Sequence, residues 1–180
     1  MNAIVRPFIA SFAYSNNLVR FITDDLSREQ ALFRTRNGEG ASVLWTLGHL
    51  YDYRCMALEL LGVEKDREYG KLFSEESASD GTDYPELEEL LHKWDILAEE
   101  LESALAQTTE EDLIASEENG ARLFNAFTFY TWHEASHFGA ISTIRKEQGL
   151  PSAAEIVIAH MEKLRQEAES EGDDSQEGDG

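Results

Sequence analysis

The run Trp132–Ser142, "WHEASHFGAIS", contains His133, Glu134 and His137 in the order H-E-x-x-H, the string by which zinc metalloproteases hold an ion on one helical face. At 100° and 1.5 Å per residue, the two imidazoles differ by about 40° in direction and about 6 Å along the axis, so both can reach one ion. A protease needs more: a third ligand, a carboxylate that activates water, and an extended edge to hold a peptide. The longer protease pattern would place Gly at 140 and His at 143, where Ala140 and Thr143 stand. Glu155 and Glu162 follow in no recognisable motif, and no convincing strand is foreseen. The spacing therefore favours a metal without favouring proteolysis.

Steps of four from His133 give Asn125, Phe129, His133, His137 and Ile141, a largely apolar stripe expected to point into a helical core. Desolvated imidazoles need partners, and a metal ion is the simplest one. The plain alternative is two core histidines bonded to their neighbours. A third imidazole lies upstream in "SVLWTLGHLYDYRCMAL", where His49 is flanked by Leu44, Leu47, Leu50 and Leu58. His49, His133 and His137 on two facing helices would form a three-histidine site with an open position, the pattern of a metal that meets water or substrate. Such an ion lowers the pKa of a water or thiol and yields a nucleophile near neutral pH.

Other polar residues have quieter readings. Glu134, 100° from His133, is expected beside the ligands or at the surface, not as a general base. Asp52 either orients its helix face or is solvated. His92 sits beside Lys93 in an acidic segment and reads as a surface histidine; His160 reads as a helix-seam residue. Cys55 falls about 240° around the helix from His49, so it is expected to be a core thiol. Trp45, Trp94 and Trp132 are expected to anchor the core, with Trp45 one turn before His49 and able to wall a pocket. Arg54 and Arg145 lie within reach of the histidine face; either could hold an anionic substrate, but pairing with some of the many acids is the expectation.

These residues must be carried on helices, because the chain has only three prolines, at 7, 85 and 151, and long segments of helical spacing. The spacing predicts a first helix from about Pro7 to Asp24 and a Ser27–Gln30 capping box for a short turn. "RNGEG" reads as a loop. Ser42 is expected to cap a second helix running to about Leu61, ended by Gly62. A long polar loop, "EKDREYGKLFSEESASDGTDY", follows. Pro85 is expected in the first turn of a third helix, whose Leu87, Leu90, Leu91, Trp94, Leu97, Leu101 and Leu105 recur in steps of three and four. "TTEEDL" reads as a cap-like loop. A fourth helix spans about Arg122 to Gln148, closed by Gly149, and a fifth runs from Ser152 to about Glu169. The expected fold is all-α: a four-helix bundle with an appended C-terminal helix. Residues 1–166 form the bundle domain and 167–180 an acidic tail too polar to fold.

Composition narrows the partners. With 36 acidic residues against 15 basic, the formal charge is −21, and seven of the acids lie in the tail from Glu167. Such a surface repels phosphate backbones and anionic headgroups, which argues against nucleic acid or membrane partners. The excess of acids, with five lysines among the bases, would suit a salt-rich cytoplasm. One cysteine excludes an internal disulfide framework and fits a reducing compartment. No apolar run approaches the roughly 18 to 20 residues needed to cross a bilayer. The start lacks the pattern of a signal peptide, so a cytoplasmic protein is expected.

The segments "LWTLGHLYDYR" and, some eighty residues later, "HEASHFGAISTIRKEQGLP" resemble the DinB/YfiT-like superfamily of helical-bundle proteins. The resemblance runs from the first helix through Pro151. It implies a four-helix bundle in up-down-down-up order, often a homodimer, with a divalent metal, commonly zinc or nickel, on the histidines matching His49, His133 and His137. Some relatives are thiol-dependent transferases or isomerases that use bacillithiol, mycothiol or glutathione. The expected function is accordingly a metal-dependent enzyme, a thiol-dependent S-transferase or a hydrolase, acting on a small electrophile. The alternative is a non-catalytic, metal-binding stress-response bundle. One departure bears on the chemistry: Ala140 stands where the family often has Gln.

Overall fold

A computed structural model describes residues 3–73, 83–115 and 122–174. Every regular element among them is helical: α1 (Arg6–Thr23), α2 (Arg28–Leu32), α3 (Thr35–Gly38), α4 (Val43–Leu60), α5 (Leu87–Gln107), α6 (Glu110–Ile114), α7 (Arg122–Glu147) and α8 (Ala153–Asp174). Local chemistry sets most boundaries. Ser27 and Gln30 close a reciprocal capping box at the start of α2. The Ser42 hydroxyl accepts from the Trp45 amide to start α4, and Gly62, at φ +80°, supplies the left-handed turn after its end. Thr109 and Asp112 form a second capping box, so the cap-like reading of "TTEEDL" holds, but it opens a short helix where a loop was expected.

One other detail differs from expectation. Pro85 precedes the N-cap of α5 instead of occupying its first turn; Glu86 takes the extended N-cap conformation and its carbonyl accepts from the Leu90 amide. In "RNGEG" the backbone at Arg36 and Asn37 is left-handed, so α3 is a tight turn with hydrogen bonds returning to Thr35 and Arg36.

The four bundle helices α1, α5, α4 and α7 pack in that cyclic order, each of α1 and α4 touching both α5 and α7. Phe12, Val19 and Ile22 of α1 meet Leu90, Leu97 and Leu101 of α5, Leu47, Leu50 and Leu58 of α4, and Phe127 and Ile141 of α7 in one core. Burial of each such aliphatic side chain contributes about 1.5–3 kcal/mol. Nearly all of α4 is enclosed, because α2 and the segment after Leu60 cover what the bundle leaves open. That segment is less polar in effect than in composition: Phe73 and Tyr84 are both buried, and residues 74–82 lie outside the described residues.

The C-terminal helix α8 lies against α1 and α7, with His160 against the Phe21 ring at 4.5 Å. It continues past Glu169 to Asp174; the last part of the acidic tail, 175–180, lies outside the described residues. No described helix is long and apolar enough to cross a membrane.

Candidate metal centre

Two helices deliver the three histidines. On α4, His49 is 3% exposed; on α7, His133 is 8% exposed and His137 is half-buried. The Nε2 atoms of His49 and His133 are 3.3 Å apart, those of His133 and His137 3.0 Å, and the three candidate ligand atoms all lie within 4.8 Å of one another. The three residues picked out by spacing and sequence context are therefore brought to one point.

The His49 and His133 rings are held by different means. The His49 Nδ1 lies 3.1 Å from the Phe73 carbonyl, which can only accept, so Nδ1 carries the proton and Nε2 presents its lone pair to the cluster. Phe73 reaches this position because residue 48 is glycine; a Cβ there would fall 2.3 Å from the phenyl ring. Trp45 stacks on His49, with ring centroids 4.8 Å apart and planes within 15°. His133 stacks with both Tyr53 at 4.1 Å and Phe129 at 5.3 Å.

The cluster fits a cation better than it fits itself. One proton at the His133 Nε2 can be shared between its two neighbours, which leaves two imidazole lone pairs facing each other. His133 Nδ1 is also buried without a hydrogen-bond partner. Burial, and then the adjacent imidazoles, push His133 down to about 4, and burial and His49 do the same to His137, so both are neutral with lone pairs free near neutral pH. Tetrahedral coordination by imidazoles implies nitrogen–nitrogen separations of about 3.3 Å, close to the two short distances observed.

The surroundings sort the remaining candidates. Glu134 is neither a surface carboxylate nor a free base: it is 3% exposed and takes a bidentate pair from Arg54, with Nε–Oε1 at 2.6 Å and Nη2–Oε2 at 3.0 Å. Arg145 is fully buried and donates to both Asp25 oxygens and to the Ile22 and Pro151 carbonyls. Neither arginine is left to hold an anionic substrate. Asp52 is buried and paired with Arg67. Cys55 is a buried thiol pushed up to about 11, chiefly by desolvation. His92 is exposed. Glu155 caps α8 through Ser152 and pairs with Lys146, so it supplies no fourth ligand.

Two expectations fail at the outer side of α7. Trp45 and Trp94 are core residues, but Trp132 is 64% exposed and anchors nothing. The stripe through the histidines is buried only from His133 onward; Asn125 and Phe129 are exposed. The exposed residues of α7 from Phe124 to Thr143 include no charged side chain; the acid in that span, Glu134, is buried.

Spacing alone overlooked Tyr53 and Phe73. Tyr53 stands four residues after His49, one helical turn, and the pattern could have flagged it. Phe73 had no local signal beyond being an aromatic in a polar stretch.

A family profile described as the DinB superfamily matches residues 12–141, a span that contains all three histidines. No curated protein matches the chain.

Proposed function

The chain belongs to the DinB superfamily, and from that premise we propose that it is a metal-dependent enzyme holding one divalent cation, zinc or nickel, on His49, His133 and His137. The observation that supports this most is the convergence of three imidazole nitrogens, two pairs of them 3.0 and 3.3 Å apart, inside the bundle. A bound divalent ion supplies Lewis acidity, which lowers the pKa of a water or thiol and favours attack on a small electrophile. The protein's own part is preparation. Phe73 fixes the His49 tautomer, burial keeps His133 and His137 neutral, and Tyr53 and Phe129 orient the His133 ring. The substrates in this reading are a low-molecular-weight thiol and a small electrophile, handled in the cytoplasm by a homodimer.

A second reading, a non-catalytic metal-binding stress-response bundle, is favoured by the depth of the site, since His49 and His133 are 3% and 8% exposed. Metal analysis of the purified protein beside His49→Ala and His137→Ala tests the ligand assignment: stoichiometric metal is expected in the wild type and absent from both variants. Metal retained by both would remove these ligands. Conjugation assays with several thiols, run with chelator melts, separate the two functions. Turnover that disappears with the metal supports the enzyme; metal-dependent stability without turnover supports the bundle.

A further inference from the structure

Arg54 touches every wall of the bundle at the level of the histidines. It rises from α4, forks onto Glu134 of α7, donates Nη1 to the Asn16 side chain of α1, and lies over the Trp94 ring of α5 with the guanidinium carbon 3.8 Å from the centroid. Both charged partners are sealed, at 1% and 3% exposure. The gap between them and His133, bordered by Phe12, Tyr53, Ala57 and Tyr130, is too small for a water molecule.

A buried pair of this kind gives little net stability over an apolar pair of the same shape, because desolvation offsets most of the attraction. Its two-bond fork does fix direction. Tyr53 and His133 form one stacked rung between α4 and α7, and Arg54 and Glu134, one residue on in each helix, form the next. Glu134 is displaced by about 100° from His133, so any rotation of α7 that moves the imidazole also pulls the carboxylate off its fork.

We propose that the Arg54–Glu134 pair is a positioning clamp for the histidine site: it sets the rotation of α7 against α4 and so the point where the three imidazole nitrogens meet. The clamp rests on the reading of those histidines as metal ligands. Glu134 acts through His133 and touches no reacting atom, since both its oxygens are taken by Arg54.

The test is Co²⁺ titration followed by visible absorption, with thermal melts of the metal-free proteins. Glu134→Gln and Arg54→Lys, which keep the shape or the charge but not the fork, are expected to melt as folded proteins. They should bind Co²⁺ about 10- to 100-fold more weakly, the usual cost of losing a group that orients a ligand, and with an altered d–d spectrum. The double variant Arg54→Met/Glu134→Leu leaves no charge unpaired, should keep the fold, and should show the same defect. Folded variants with the wild-type affinity and spectrum overturn the clamp and leave the metal site standing. A wild type that binds no Co²⁺ overturns both. Unfolding of the double variant would show a pair that holds the bundle as a whole, and would overturn a role directed at the histidines.

Discussion

The molecule contains two buried arginines that join helices, and their surroundings differ in kind. Arg54 meets a carboxylate as deeply buried as itself, in the middle of the bundle, beside the histidines. Arg145 meets Asp25, which is 48% exposed, and spends its other donors on the Ile22 carbonyl near the end of α1 and the Pro151 carbonyl in the turn before α8. The second arrangement satisfies an orphan carbonyl in the last turn of α1 and a turn carbonyl before α8, and leaves its carboxylate half in water. The first satisfies its own two charges and the Asn16 side-chain oxygen, at a desolvation cost, and what it returns is orientation.

Breaking each arrangement should show that asymmetry. Arg54→Ala strands Glu134 as an unpaired buried charge and is expected to cost about 3–5 kcal/mol in denaturant unfolding. A loss under about 1 kcal/mol would mean that water reaches the site. Gly48→Ala drives a methyl into the Phe73 ring, with about 1–3 kcal/mol of overpacking expected. It should also free the His49 ring, visible as loss of the slowly exchanging Nδ1 proton by NMR. At the other end, Asp25→Asn removes a half-solvated charge while Arg145 keeps both carbonyls, and about 1 kcal/mol is expected from the same unfolding measurement. If Asp25→Asn proves as damaging as Arg54→Ala, the distinction fails.

Acid separates the two regions by pH. His133 and His137 titrate at about 4 in the fold against an ordinary value of 6.5. The unfolded chain therefore takes up protons first. Metal-free protein should lose stability as pH falls from about 6.5 toward 4, with no such penalty above that window. Asp25 is shifted the other way, held below its usual 3.8 by Arg145; its contribution persists above that value and is lost only as pH falls further. Melts across pH should thus show an early loss that His133→Phe/His137→Phe weakens and a late one that Asp25→Asn weakens. Bound metal should raise stability above this window and make the early loss steeper, because protons compete with the ion for the same nitrogens.

The helices and the histidine pair were legible because their signals are local. Caps such as Ser42 with Trp45, breaks at Gly62 and Gly149, and the four-residue step from His133 to His137 depend on neighbours in the chain. Where signals conflict locally, the reading failed. The first half of α7 carries aromatics on both sides, so periodicity could not tell that Phe127 and Tyr130 turn inward while Trp132 turns out. Nor could it pair Arg54 with Glu134, eighty residues apart, because an acid after a histidine looks the same whether it faces water or a guanidinium. The Phe73 carbonyl was invisible for a deeper reason: a backbone acceptor has no residue signature.

The charge-free outer side of α7 gives the protein an uneven electric field. A chain of net charge −21 repels small anions over most of its surface, yet the flank that Phe129, Ser136 and Ala140 form beside the histidines adds nothing to that repulsion. Singly negative solutes meet a lower barrier there than at the acidic faces, and raising the ionic strength should speed the arrival of anions by screening those faces.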